Sequence, residues 1–254
     1  MEWTGMKNAL SSGLREVSWL RVLTGILAMV AVIAFASTES LIRVYRERQM
    51  LEYGYHTNLI LAALQSDTVA SFLPILAVLS FSAVYIDDVK SKFARFFLIR
   101  TNYTIYLVSR ILVCFLSGGI VIASGTLLAW GLSTLFFLPM EKASEIPLES
   151  TDLLLKTCTL LFLDGGFWAV MGMAMSTLME SKYISYATPF VLYYLLVILY
   201  ERYFSDLFII YPKTWTDPTA WPFGCWGAAI FLLEMTLIFA FLFAFRAGRR
   251  LQQL

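Results

Sequence analysis

The sequence predicts an all-α integral membrane protein with six transmembrane helices, and three observations carry that prediction. Of the 254 residues, 59% are hydrophobic and 15% are charged, whereas a soluble domain of this length carries about a quarter charged residues. The mean hydropathy is +0.72. The apolar residues also fall into runs approaching or exceeding the roughly 20 residues that cross a bilayer. A net charge of +1 gives no electrostatic footprint for nucleic acid. Cys114, Cys158 and Cys225 lie far apart inside apolar runs, which is neither a disulfide framework nor a metal spacing, so free packed thiols are expected.

In chain order, the N-terminal segment places Trp3, Met6, Leu10, Leu14 and Val17 at spacings of three and four. Lys7, Asn8, Ser11, Arg15 and Glu16 occupy the rest of the wheel, and the pattern predicts a helix over 1–17 lying in the membrane interface. The run that follows ends in "AFAS", which resembles a signal-peptide cleavage site, but its polar lead is long, so it is read as the first span. The six spans are expected near 18–37, 68–86, 103–133, 152–178, 184–200 and 222–245. The third is long enough to tilt. The fifth is short and holds Pro189, which predicts a kink and a freed carbonyl needing a partner. The loop 38–67, charged and then apolar ("LILAAL"), is expected to form a short helix on the outer surface. The segment "ERYFSDLFIIYPKTWTDPTAWPFGCWG" packs Tyr203, Phe204, Phe208, Tyr211, Trp215 and Trp221 among prolines, a density suited to a membrane interface or a re-entrant turn.

Lysine and arginine set the orientation. With the N-terminus inside, the inner side and its flanks hold 12 of these bases and the outer side 7, so both termini are expected in the cytosol. Arg43, Arg46 and Arg48 dissent, beside Glu39, Glu47 and Glu52.

The main inner loop reads "YIDDVKSKFARFFLIR" from Tyr85 to Arg100. On a helical wheel Val89, Phe93, Phe96 and Phe97 share one arc of about 100°, with Asp88, Lys92 and Arg95 on the neighbouring arc. Asp88 and Lys92 form an i, i+4 acid–base pair, and Asp87 and Asp88 suit a helix N-terminus. Two readings fit: a helix resting on lipid headgroups, or a docking helix whose aromatic ridge, rimmed by bases including Arg100, inserts into a soluble partner.

The arrangement of an interfacial helix, six spans, a charged element after the second span and an aromatic loop before the sixth resembles the permease subunit of an ABC exporter of the type-2 superfamily. The peptide-exporting or antimicrobial-peptide immunity branch is the nearest in character. The "DD" of Asp87–Asp88 and the run "YTIYLVSRILV" at 103–113, with Arg110 in the basic position, carry the resemblance over about 25 residues. The glycine and proline often found between them are replaced by Phe96, Phe97 and Thr101. The resemblance implies a coupling helix (Asp87, Asp88, Val89, Lys92, Phe93, Arg95, Phe96, Phe97, Arg100) docking on an ABC ATPase subunit. It also implies short re-entrant helices after Tyr200, and a second permease copy or related chain completing a dimer. The setting would be the bacterial plasma membrane, with a peptide-like cargo. No Walker motif GxxxxGK[ST] occurs in the sequence, so ATP and Mg are expected on the partner rather than on this chain, which is not expected to be an enzyme.

Asp164 and Glu234 interrupt apolar runs. An acid at bilayer depth costs about 2.5–3.5 kcal/mol on insertion scales, so each is expected to face protein or a wet cavity. They read either as a substrate path attracting cationic cargo or as structural hydrogen-bonding groups. Lys156 and Arg110, near span ends, are expected to snorkel. Gly119/Ala123, Gly125/Ala129 and Gly172/Ser176 are small-residue pairs that permit close helix contact. His56, the single histidine, reads as a loop residue. Two other functions remain open: an ion-coupled secondary transporter using Asp164 and Glu234, although no internal repeat is visible, and a non-transporting scaffold or immunity protein.

Overall fold

The computed structural model describes residues 10–47, 51–91, 102–142 and 149–251. Within them the chain is all-α: α1 (10–16), α2 (Trp19–Ala36), α3 (Thr38–Glu47), α4 (Tyr55–Leu64), α5 (Asp67–Val78), α6 (Val84–Lys90), α7 (Tyr103–Phe137), α8 (Glu149–Met179), α9 (Lys182–Arg202) and α10 (Gly224–Leu251). Five of these, α2, α7, α8, α9 and α10, are long and apolar enough to cross a membrane. The pair α4 and α5, bent by 70°, makes a sixth candidate if it counts as one span.

The hub is α8. Leu154, Leu160, Phe167, Trp168, Val170, Met171 and Ala174 are buried around its circumference, while α5, α7, α9 and α10 pack against it. Glycine sets the closest approach. A Cβ on Gly118 of α7 would lie 2.6 Å from the Gly165 carbonyl oxygen of α8, so the two backbones touch. Around the hub, α2, α9 and α10 turn Leu20, Leu27, Val191, Ile198, Leu237 and Phe241 outward, as helices facing lipid do.

The α9 helix is longer than expected, 21 residues, and continues through Pro189. Proline cannot bond the carbonyl four residues earlier, that of Ser185. That oxygen instead points at Gly172 of α8, where a Cβ would lie only 2.7 Å away. Gly172 thus makes room for the carbonyl that Pro189 frees.

The region 38–86 departs from expectation. The "LILAAL" segment is not on the surface: Leu59, Ile60, Leu61, Ala63 and Leu64 of α4 are buried, in contact with α2, α7 and α8. The apolar run 59–64 is too short to span and too apolar to stay in water, so most of it buries, while Asn58 and Ala62 stay exposed. The expected span 68–86 is not one helix. α5 ends at Val78, a turn occupies 79–83, and α6 begins at Val84. Ser66 makes the bend at the other end. Its Oγ donates to the Ala63 carbonyl (2.6 Å), closing α4, and accepts the Val69 N–H (3.3 Å), opening α5.

Before α10 the aromatic loop forms two short 3-10 turns, Phe208–Ile210 and Pro212–Thr216. Trp215 is buried and stacks on Trp168 of α8 at 5.8 Å. Its indole donates to the Ile209 carbonyl (2.7 Å), and that of Trp221 to the Thr214 carbonyl (2.8 Å). Lys213 reaches Asp67 at the start of α5 (2.7 Å), beside a cavity of ≈ 290 Å³ bordered by Leu64, Thr157 and Asp217.

Candidate functional site: an ion-paired joint around Arg110

Arg110 is the eighth residue of α7 and is only 1% exposed. It does not snorkel; it is the centre of a joint. Its Nη1 donates to Glu16 Oε2 at the end of α1 (2.5 Å), and its Nη2 forms an ion pair with Asp88 Oδ2 in α6 (2.8 Å). Tyr106, one turn earlier in α7, donates its hydroxyl to the same Asp88 oxygen (2.7 Å). The guanidinium lies 5.0 Å from the Tyr106 ring centroid and 5.7 Å from that of Phe81 in the α5–α6 turn, within cation–π range. A buried charge persists only when paired and bonded, and here one cation holds three separate segments of the chain.

Burial disfavours the charged form of Asp88 and outweighs the Arg110 charge and the Tyr106 hydrogen bond, so its carboxyl is pushed up to about 6. Neighbouring contacts stiffen the joint. Tyr85 of α6 is fully buried and meets Phe243 of α10 edge to face at 4.9 Å. Arg250 of α10 pairs with Glu180 (3.1 Å) in the α8–α9 turn, where Glu180 takes φ +53°. Lys182 of α9 approaches the exposed Asp87 at 3.8 Å.

The expected docking residues divide accordingly. Asp87 faces out and Val89 is half-buried against the core. Asp88, 7% exposed, is a correction: it points into the bundle, because Arg110 and Tyr106 offer it charge and hydrogen bonds that solvent-side neighbours cannot match. Lys92, Phe93, Arg95, Phe96, Phe97 and Arg100 lie outside the described residues, as do Trp3 and Met6 of the interfacial stripe. Of that stripe, Val17 is buried and Leu10 half-buried, whereas Leu14 is exposed. Glu16, expected on the polar face, is the residue that reaches Arg110.

The two intramembrane acids also part. Asp164 is buried in α8, 3% exposed, hydrogen-bonded to the Trp168 indole one turn on, while its Oδ1 has no partner among the described residues. Glu234 is exposed on the outer face of α10, apart from the hub that encloses Asp164. Lys156 is exposed and paired with Asp152 one turn away.

A second polar cluster holds the opposite end of α7, and the sequence reading missed it. His56 is no loop residue; it is buried in the first turn of α4. Glu141, just past α7, accepts the backbone N–H of Gly54 (3.0 Å) and of His56 (2.7 Å), and its Oε1 lies 2.8 Å from His56 Nδ1. Ser133 donates to the His56 carbonyl (3.0 Å) and Trp130 to the Thr57 hydroxyl (3.2 Å). Burial works to raise the Glu141 carboxyl, but the His56 and Gly54 contacts outweigh it and hold it below its ordinary value. In effect Glu141 caps α4 from 85 residues away. The signal for both clusters was present: an ionisable residue inside or at the end of a long apolar helix demands a partner.

Comparison with protein-family models, with curated proteins and with solved structures gives no match.

Proposed function

We propose that the chain is the membrane-spanning permease subunit of an ATP-driven ABC exporter. It would work in a bacterial plasma membrane with both termini in the cytosol and act on amphipathic or hydrophobic peptides. The observation that carries the reading is the Glu16–Arg110–Asp88 joint. It fastens α6, the root of the segment 92–100, to α7 and to the helix preceding α2. A docking segment that transmits force needs such a root, since a segment merely resting on lipid requires no buried ionic tie to the spans.

In this reading a separate ATPase subunit binds ATP and Mg and grips the ridge of Phe93, Phe96 and Phe97, with Lys92, Arg95 and Arg100 at its rim. Closure of the ATPase pair pushes on 87–100. The joint passes that displacement to α7, and through α6 and Phe243 to α10. The loop at 208–221, seated on α8 by Trp215, closes the opposite end as a re-entrant gate. Asp164, inside the hub helix and one oxygen short of a partner, is the internal polar group a passing cargo would meet. That same orphaned oxygen favours a second reading, in which Asp164 binds a coupling ion or proton.

The test is copurification from native membranes in mild detergent. A Walker-motif ATPase is expected to stay bound to the tagged chain, and Phe96→Glu or Arg95→Glu is expected to release it. If no ATPase is recovered under conditions that preserve membrane complexes, the exporter reading fails and the ion-coupled one takes its place.

A further inference from the structure

The outer face of α10 presents a problem that lipid cannot solve. From Trp226 to Phe245 the helix runs for 20 residues with one ionisable side chain, Glu234, within two residues of the midpoint. At 1.5 Å per residue the carboxyl's helical position is about 2 Å from the centre of the run, and a glutamate is too short to reach headgroups from there. The bundle offers no help. The buried side of α10, with Ala228, Leu232, Phe243 and Ala247, packs on the core, whereas Glu234 stands exposed in a stripe with Ile230, Leu237, Ile238 and Phe241. It has no hydrogen bond or ion pair among the described residues. Acyl chains supply neither donor nor acceptor, so this face calls for protein.

We propose that the stripe is the interface with a second copy of the chain, the two α10 helices packing about a two-fold axis that passes beside Glu234. A two-fold contact sets each residue near the axis against itself. Two carboxyl groups so placed exchange a reciprocal pair of O–H···O hydrogen bonds, which satisfies both. Ile230 and Leu237, one turn to either side, then form a self-complementary apolar ridge. A contact with a different face of the second copy offers no free cation at the depth of Glu234. Among the described residues of the spans, Arg21, Lys182, Arg202, Arg246, Arg249 and Arg250 lie within six residues of a helix end, while Arg110 is buried and held by Asp88 and Glu16, and Lys156, near the start of α8, is held by Asp152. The proposal needs only that the chain spans a bilayer, so it stands or falls separately from the ATPase reading.

The test is cysteine crosslinking of the full chain in native membranes on a Cys225→Ser background, leaving the buried Cys114 and Cys158. Ile230→Cys and Leu237→Cys are expected to give a disulfide-linked dimer on mild oxidation. Leu195→Cys on α9 and Leu23→Cys on α2, both exposed, are expected to stay monomeric. Fluorescence energy transfer between labelled copies in liposomes, measured over lipid dilution, gives the association constant. Glu234→Gln, which still donates and accepts, is expected to keep it, and Glu234→Leu to lower it roughly tenfold. Three results overturn the proposal: a monomer at all dilutions, crosslinks from α10 to the Tyr194 side of α9 or to a different protein, or association indifferent to Glu234→Leu.

Discussion

The two ends of α7 are held by opposite chemistry. At one end a buried cation, Arg110, draws in two carboxylates and is faced by two rings. At the other a carboxylate, Glu141, gathers backbone N–H groups and an imidazole. The first ties three segments by full charges, and losing its centre strands two acids. The second is a helix cap, whose N–H groups water can take over in part. The first is therefore the costlier of the two to break.

The largest effect should come from removing the cation. Arg110→Leu leaves Glu16 and Asp88 without their counter-charge, and a loss of about 3–5 kcal/mol is expected, read as a fall in thermal unfolding midpoint and in monodisperse yield. A variant as stable as wild type would reduce the joint to a surface ion pair. The pH response separates the clamps next, and in opposite senses. Asp88 keeps its proton up to about 6 in the fold against 3.8 unfolded. Its contribution is therefore full below 3.8 and is lost as pH rises through about 6. Glu141, held below its ordinary 4.5, contributes above 4.5, and that contribution is lost as pH falls through its lowered value. Relative to Asp88→Asn, wild type should lose thermal stability as pH is raised across this window. Relative to Glu141→Gln it should lose stability on acidification. Two slopes of one sign would show that one clamp has been misread.

Smaller effects follow. Glu141→Ala uncaps α4 and should lower stability by about 1 kcal/mol, with faster amide exchange confined to the first turn of α4. Smallest of all, Asp164→Asn should change unfolding by less than about 1 kcal/mol, because Oδ1 makes no bond to lose, while impairing transport in cells. Unchanged transport would remove Asp164 from the path.

The sequence carried the fold class and five of the long helices, because apolar runs bounded by charges leave little freedom. It failed over 38–86, where apolar density is continuous and the bend lies in a single side chain, Ser66, bonded to both flanking helices. The paired serines of "LSFSA", Ser80 and Ser82, were the available hint of the break before α6. Asp88 misled because a helical wheel knows only neighbours four residues away, and Lys92 seemed sufficient until a base 22 positions later proved to be its partner. Asp164 and Glu234 looked alike to hydropathy. Their surroundings differ: "DGGFW" carries the small residues that let another helix come close, whereas "LLEMTL" is bulky on both sides.

The most direct test of the joint as the root of the docking segment is ATPase capture by Asp88→Asn beside wild type and Phe96→Glu. Asp88 faces inward onto Tyr106 and Arg110 and is only 7% exposed. The account predicts that Phe96→Glu abolishes capture and that Asp88→Asn, folded and monodisperse, lowers it several-fold. Capture by Asp88→Asn equal to wild type would contradict it, since the segment would then dock without its tie to Arg110.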